Sequence, residues 1–590
     1  MHLKVLAMDL DGTLARDGVV AEATWEALRA AKEAGFVLLL VTGRRLSVIP
    51  EIGPFNELCE AIVAENGATI YYPHADRVDT PFGKLAYEVI QKLEQLKIDV
   101  EFGEAIAATW VPHDRKVLDC IAQTGYAATV EYNKGAVMIL PPGATKGSGL
   151  KIALEELGYS TRNVLACGDA ENDRSMFEQA DLSVAVPNAI PAIRDLADTV
   201  LRKPNGMGCQ DLLTGLLDNQ IPAYRCRPER RIHLGRNAQN EPVCMSSFNF
   251  LDSNWAIAGS SGTGKTWLAG LILEQLLHMG YQACVIDPEG DYRSLKAVPR
   301  TIVFGDENNP PPSVTDVVTL LEYARISIIL DLCQYSLEEK RDYVKRFLQA
   351  LGGLRAKRGL PHWFLIDEAH YFCHKNGNSL TELILEHARA GGFAFISYRI
   401  SELPDSLLKG INHWLLTQIK DEQETERIQT VLRQQDPQQT EIPPLANLSG
   451  KQFYLSMGPT AQTNPPRSSI VRLGKLNRRT PHVRHLHKYL IAPLAAHRQF
   501  YFHPQAGEKG IRPAASLWEF SQALPRLAAK TIRFHLERRD FERWARDIIR
   551  DEELARQLRV LENRDLSDEE LLDHLCKTVN QRFEELERLV

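Results

Sequence analysis

Asp9 and Asp11 stand two residues apart in Asp9-Leu10-Asp11-Gly12-Thr13, directly after an apolar run at 3–8. Two carboxylates at the end of a buried strand can serve one pocket if the turn begins there: one attacks phosphorus while the other handles the proton of the leaving alcohol. Gly12 permits the turn and Thr13 brings a hydroxyl near the phosphate. Three further groups follow in order. Thr42-Gly43-Arg44 offers a hydroxyl and backbone amides after a second apolar run, and Lys146-Gly147 opens a helical pattern with a fixed positive charge. Gly168-Asp169-Ala170-Glu171-Asn172-Asp173 supplies carboxylates suited to Mg²⁺. One acidic turn after a strand is a common surface feature, but four such groups in order are not.

A second phosphate chemistry lies downstream. Gly259-Ser260-Ser261-Gly262-Thr263-Gly264-Lys265-Thr266 sits between an apolar run at 255–258 and a helical pattern at 267–277, the context a Walker A loop requires. Backbone amides from Ser261 to Lys265 would surround the phosphates at a helix N-terminus, Lys265 would reach the β and γ oxygens, and Thr266 would ligate Mg²⁺. Trp363-Phe364-Leu365-Ile366-Asp367-Glu368 is the matching strand with two terminal carboxylates. Asp367 would hold the Mg²⁺ shell and Glu368 would polarise the attacking water, so ATP is expected to be hydrolysed rather than stored.

The elements that must position these residues are legible as two alternating patterns. Apolar runs at 37–41, 61–64, 137–140 and 164–166 alternate with helical patterns at 21–34 and 148–157, which predicts an α/β unit with a parallel sheet over 1–215. Between about 78 and 142 the order changes to helix, strand, helix, strand, with extended candidates at 98–102 and 127–132, which predicts a small α+β cap inserted into that unit. A connector with short β segments is expected over 216–245. A second parallel-sheet unit is expected over 246–490, with strands at 255–258, 283–286, 326–330, 363–366, 394–397 and 414–418. Beyond 498 the spacing of Leu517, Phe520 and Leu524, and of Leu554, Leu558 and Leu561, predicts an all-α domain. The fold class is therefore α/β: two parallel-sheet domains, a cap, and a helical domain.

At 590 residues the chain exceeds what one core organises. Its 44% hydrophobic and 25% charged residues and net charge of -7 give no global pull toward nucleic acid or membrane. Ten cysteines without a C-x-x-C pair, no secretory leader and no apolar run long enough to span a bilayer lead to a cytoplasmic expectation. From 442 to 507 there is no Asp or Glu, while Arg467, Arg472, Lys475, Arg478, Arg479, Arg484, Lys488 and Arg498 crowd together. That stretch could track a phosphate backbone or dock on the acidic remainder of the chain; its aromatics lie at its ends, which favours docking. His482, His485 and His487 lack the partners a metal site needs.

The first set of motifs resembles the haloacid dehalogenase superfamily of phosphatases, over residues 1 to about 215. The resemblance implies Asp9 as nucleophile, Asp11 as general acid/base, Thr42 and Lys146 holding the phosphate, and Asp9, Asp11 and Asp169 ligating Mg²⁺ with Asp173 in support. The cap position resembles the subclass containing sugar-phosphate and phosphoglycolate phosphatases. The second set, with Asp287-Pro288-Glu289-Gly290-Asp291-Tyr292, Asp367-Glu368-Ala369-His370 and Ala388-Arg389-Ala390-Gly391-Gly392, resembles the HerA branch of the HerA/FtsK ATPases over about 225–490. This implies a hexameric ring in which Arg389 reaches a neighbour's γ-phosphate, a solvated helix-end arginine being the alternative. Family members usually carry Gln where this chain has Ser397-Tyr398-Arg399, which implies altered γ-phosphate sensing. The helical segment with Phe534, Asp540 and Trp544 resembles an accessory domain of unassigned function.

The expected function is a bifunctional enzyme, a Mg²⁺-dependent phosphatase of small phosphorylated substrates regulated by a HerA-like ATPase. Two alternatives stay open at this point. One is a nucleic-acid translocase or defence-type assembly whose phosphatase trims nucleic-acid ends; the other is a sugar-phosphate or phosphoglycolate phosphatase with an ATP-sensing module.

Overall fold

The computed structural model describes residues 2–133, 135–305, 310–436, 442–458, 468–474, 476–480, 490, 499–503, 513–549, 551–562 and 566–587. The first unit is an eight-stranded sheet. Its strands are β1 (Val5–Met8), β2 (Val37–Val41), β3 (Ala61–Ala64), β4 (Thr69–Tyr72) and β5 (Arg77–Asp79), and, after an excursion, β10 (Val164–Gly168), β11 (Leu182–Ala185) and β12 (Thr199–Val200), in the order β12-β11-β10-β1-β2-β3-β4-β5. The six strands from β12 to β3 are parallel, and their unbroken apolar runs follow from helices covering both faces. The excursion forms an antiparallel sheet of β6 (Glu101–Phe102), β7 (Ala107–Trp110), β8 (Thr129–Asn133) and β9 (Ala136–Leu140), ordered β6-β7-β9-β8.

Two sequence expectations are corrected here. The apolar run at 137–140 pairs antiparallel with β7 and β8 and belongs to the small sheet, not to the parallel one. The parallel sheet is also extended by β4 and β5, a hairpin edge whose polar outer strand masked it in the pattern.

The second unit is an eleven-stranded sheet. It contains β13 (Arg231–Arg236), β14 (Pro242–Ser246), β15 (Trp255–Ala258), β16 (Ala283–Asp287), β17 (Thr301–Phe304), β18 (Ser327–Asp331), β19 (Trp363–Ile366), β20 (Phe393–Ser397), β21 (His413–Leu416), β22 (Gln452–Met457) and β23 (Ser468–Arg472). The order is β14-β13-β23-β22-β21-β15-β20-β19-β16-β18-β17, parallel from β21 to β17. The β segments expected in the connector are β13 and β14, and they join this sheet's edge through β23. Between 517 and 587 the described residues form helices around their own core, which includes Phe520, Phe541, Trp544 and Leu575. Among the described residues no helix is long and apolar enough to cross a membrane.

The two parallel sheets meet at their strand bases. His2 precedes β1; its Nδ1 lies 2.9 Å from Asp252, just before β15, and its Nε2 lies 2.9 Å from Asp181, just before β11. Tyr281, two residues before β16, donates its hydroxyl to Asp181 at 3.0 Å. Arg230 also pairs with Asp181, and Arg162 donates to the Met279 carbonyl at 2.8 Å. Around these groups one continuous apolar cluster runs through both units, including Leu3, Phe248, Trp255 and Trp363. Burial alone would lower the pKa of His2, but the Asp252 charge and the hydrogen bonds to Asp181 and Asp252 outweigh it and push the value up to about 9.

Because the folded pKa of His2 lies above its ordinary value of 6.5, its contribution to stability is complete below pH 6.5 and is lost as the pH rises through about 9. His2→Gln leaves Asp252 without its cation and is expected to cost about 3 kcal/mol at neutral pH. Chemical denaturation from pH 6 to 10 should show the wild type losing stability more steeply than the variant; parallel curves would count against the assignment.

Candidate functional site

Each parallel strand of the first unit that carries a site residue delivers it at its C-terminal end, where an open α/β sheet leaves a crevice. Asp9 follows β1, Thr42 follows β2 and Asp169 follows β10. Lys146 begins the helix Lys146–Leu157, which Thr145 caps by accepting the Ser148 N–H. Gly147 is required by close approach, since a Cβ there would lie 2.2 Å from the Ser175 carbonyl oxygen. The buried Lys146 Nζ donates to Asp9 Oδ1 and to Asp173 Oδ1, each at 2.6 Å. Asp173 is held in turn by the N–H groups of Asp169 and Ala170.

Asp9, Asp169 and Asp173 place carboxylate oxygens within 4.8 Å of one another, all buried. Burial, then the Asp173 charge, raises Asp9 to about 8 against the opposing pull of Lys146. Asp173 and Asp9 keep the lysine protonated in spite of its own burial. Three buried carboxylates around one ammonium leave an excess of negative charge, and this hard-oxygen donor set fits a divalent cation such as Mg²⁺. Thr42 is buried at the end of β2, the strand paired with β1. The Asp11 carboxylate is not among the converging groups. It makes a bidentate pair with Arg44, 2.7 Å on each arm, and is partly exposed.

The small sheet closes over this site through residues the sequence reading did not single out. Glu65, Asn66 and Gly67, with φ of 54°, 52° and 89°, form a left-handed turn after β3. Such conformations cost energy in non-glycine residues and persist where surroundings hold them. Glu65 accepts the N–H groups of Glu104 and Ala105. Asn66 donates to Glu131 on β8 at 2.9 Å and accepts from Asn172 at 2.9 Å. Burial raises Glu131 to about 7, with Lys146 opposing. The Asn66-Gly67 dipeptide after an apolar run was the available signal for the turn; nothing in the sequence marked Glu131.

In the second unit Gly259 follows β15, and the loop leads into the helix Lys265–His278. A Cβ on Gly259 would lie 1.8 Å from Thr417 Oγ1, while Gly262 and Gly264 take φ of 77° and 96°. Lys265 Nζ donates to the Ser260 carbonyl at 3.1 Å, and Thr263 Oγ1 lies 2.7 Å from Thr417 Oγ1. Thr266 and Asp367 are brought together, with Oγ1 3.4 Å from Oδ2. Glu368, at φ 44°, has Oε2 3.5 Å from His370 Nδ1, which is 3.2 Å from Ser397 Oγ. Burial lowers His370 to about 4, so it meets Glu368 as a neutral ring. Tyr398, beside Ser397, puts its ring 5.8 Å from Lys265 Nζ.

Two further carboxylates lie at the same edge, of which Asp287 belongs to a motif quoted above and Asp331 was missed in the sequence. Asp287 ends β16 and accepts the N–H groups of Gly290, Asp291 and Tyr292. Asp331 ends β18 and pairs with Arg293; the apolar run ending in a lone carboxylate was its signal. Arg389 is exposed at the C-terminus of Ser379–Ala388, four residues before β20, so it lies toward the opposite edge of the sheet from this chain's own phosphate loop. In the acid-free segment, Arg478 pairs with Glu274 on the phosphate-loop helix at 2.9 Å, and the Arg479 N–H also donates to Glu274. Arg472 lies on β23. Arg467, Lys475, Arg484, Lys488, Arg498 and the three histidines at 482, 485 and 487 lie outside the described residues.

Fold and sites together define a phosphate-ester hydrolase joined to a P-loop nucleotide unit. A haloacid dehalogenase-like hydrolase model matches residues 6–116 and 113–213, and a Helicase HerA central-domain model matches 232–359. A phosphoglycolate phosphatase of Methanothermobacter thermautotrophicus is 32% identical over 213 residues, covering 35% of this chain and 95% of the relative. Phosphoglycolate phosphatase 2 of Saccharolobus solfataricus is 31% identical over 189 residues, covering 32% and 79%. A solved haloacid dehalogenase-like hydrolase of Bacteroides thetaiotaomicron is 21% identical, covers 36% of this chain and 99% of its own, and superposes with a TM-score of 0.33. The chain belongs to the haloacid dehalogenase-like hydrolases through its first unit and carries a HerA central domain in its second. It is an enzyme, a phosphatase joined to an ATPase module.

Gly259→Ala drives a methyl into Thr417 and is expected to weaken ATP binding at least about 10-fold, a loss of roughly 1.4 kcal/mol. Adding Thr417→Ala removes the colliding oxygen and should restore part of the affinity. Equal binding by Gly259→Ala and wild type would contradict the geometry.

Proposed function

We propose that the chain is a Mg²⁺-dependent phosphomonoester hydrolase working through an aspartyl-phosphate, regulated by its ATPase module. The observation that carries this reading is the buried Asp9–Lys146–Asp173 cluster with Asp169 beside it. An Asp9 oxygen attacks phosphorus, the P–O bond to the alcohol breaks, and the alkoxide takes a proton from Asp11. Water then opens the acyl phosphate, returning a proton to Asp11 and releasing inorganic phosphate. For this Asp11 must share or leave Arg44. Thr42 and Lys146 orient the phosphoryl oxygens. Asp9, Asp169 and Asp173 would hold the cation, which when bound neutralises charge on those oxygens.

The substrate is a small phosphate ester that fits beneath the cap, where Glu131 faces the leaving group. The relatives named as phosphoglycolate phosphatases support this size class. An ionised Glu131 would repel a leaving group with its own carboxylate, which favours a hydroxylated one.

In the second unit ATP would lie on 259–266, with Lys265 on the β and γ oxygens, Thr266 and Asp367 on Mg²⁺, and Glu368 directing water. Residues 1–215 with the cap at about 78–142, the connector 216–245, the ATPase unit 246–490 and the helical unit 498–590 are the proposed divisions. A hexameric ring is the proposed assembly, in which the exposed Arg389 is available to a neighbour. Arg478, taken up by Glu274, favours docking of the acid-free segment over tracking nucleic acid.

A panel of sugar phosphates, phosphoglycolate and nucleotides, with and without ATP, tests the reading. Asp9→Asn should lower turnover at least about 10³-fold while leaving ATP hydrolysis intact; surviving turnover would sink the nucleophile assignment. Lys265→Ala should abolish the response of phosphatase turnover to ATP, and an unchanged response would remove the regulatory claim. Glu131→Gln should change KM ratios across the panel more than kcat.

A further inference from the structure

A cavity of about 430 Å³ lies where the two units meet, between the bases of their sheets, and belongs to neither phosphate site. Its walls include Lys4, Arg355 and His362, with Glu386 as the carboxylate among the lining residues. Lys4 immediately precedes β1, the strand that ends at Asp9, and His362 immediately precedes β19, the strand that ends at Asp367.

Two donors in this cavity, the Lys4 ammonium and His362 Nε2, lack the acceptors that buried donors normally have, and Arg355 beside them lacks a carboxylate. The Lys4 side chain is only partly exposed, and among the described residues its ammonium makes no hydrogen bond or ion pair. Burial first, then the nearby Arg355 charge, lowers its pKa, with Asp252 opposing. Arg355 spends its guanidinium on the carbonyls of His387 and Gly391 and stacks on Phe393 at 4.5 Å, with no carboxylate in ion-pair contact among the described residues. His362 is 1% exposed. Its Nδ1 accepts the Gln282 N–H at 2.9 Å, so in the neutral ring the proton sits on Nε2, and that buried atom has no partner.

Two cations and an unpaired N–H around one space are complementary to an anion with several acceptor oxygens. The volume lies within the range of small-molecule sites. We propose that this cavity binds a small organic dianion bearing phosphate or carboxylate groups. Lys4 supplies the charge and His362 a directed hydrogen bond, while Arg355 adds to the positive potential. A ligand held there touches the residues immediately before both catalytic strands, which makes the cavity an effector site distinct from substrate and nucleotide.

The test is calorimetric titration of the full chain with inorganic phosphate and, separately, with malonate, which carries no phosphoryl group for either catalytic site. Because binding is read without turnover, its outcome is independent of the proposed reactions. Malonate should bind at one site per chain. Lys4→Gln, whose side chain breaks no existing contact, should weaken it at least about 10-fold, whereas Lys4→Arg should stay within about 3-fold of wild type, under one kcal/mol. The phosphate isotherm should lose one class of sites in Lys4→Gln alone. Identical isotherms for wild type and Lys4→Gln, or no Lys4-dependent component with either anion, would overturn the proposal.

Discussion

The buried pairing of His2 with Asp181 and Asp252 fixes how everything else is arranged. A parallel sheet collects its loops and helix N-termini at the C-terminal edge, so that edge becomes the site and the N-terminal edge is free to dock. Both sheets use it that way. A protonated imidazole between two carboxylates would be costly to bury if any partner were missing, and here Arg162, Arg230 and Tyr281 share the Asp181 charge. The consequence is a back-to-back pair of active sites. At about 3.3 Å per residue, the five steps from Lys4 to Asp9 and the five from His362 to Asp367 each carry the chain about 17 Å from the shared base to the far edge of its sheet. Influence between the two sites has to pass through the strands and the core they share.

The two sites handle phosphate by opposite electrostatic means. Around Asp9 the protein concentrates carboxylates and offsets them with Lys146, which suits a covalent nucleophile that works with a cation. Around Gly259 it offers main-chain N–H groups, a helix N-terminus and Lys265, and keeps Asp367 and Glu368 at the end of β19, two strands away across β20. The left-handed Glu65-Asn66-Gly67 turn ties the small sheet to the first site, so Glu131 is brought to Asn66 from the small sheet rather than from the parallel one.

What was legible in the sequence is what local chemistry dictates. Strand-end carboxylates, the glycine loop and the long apolar runs announced themselves, and β1, β2, β10, β15, β16 and β19 lie where those runs predict. What was not legible depends on partners distant in the chain. The run at 137–140 looks like its parallel neighbours until β7 and β8 claim it. Asp11 reads as a converging carboxylate until Arg44, 33 residues on, takes it. Glu131 and His2 are ordinary residues in sequence, and only packing gives them roles.

The central claim is that the two catalytic units share one core and open together. Hydrogen exchange of the full chain across a denaturant series measures this directly, because each strand reports its own opening free energy. The account predicts that the amides of β1 and β19 open with the same free energy and the same denaturant dependence. If β1 opened independently at a lower free energy while β19 stayed protected, the two units would be separate bodies and the claim would be wrong.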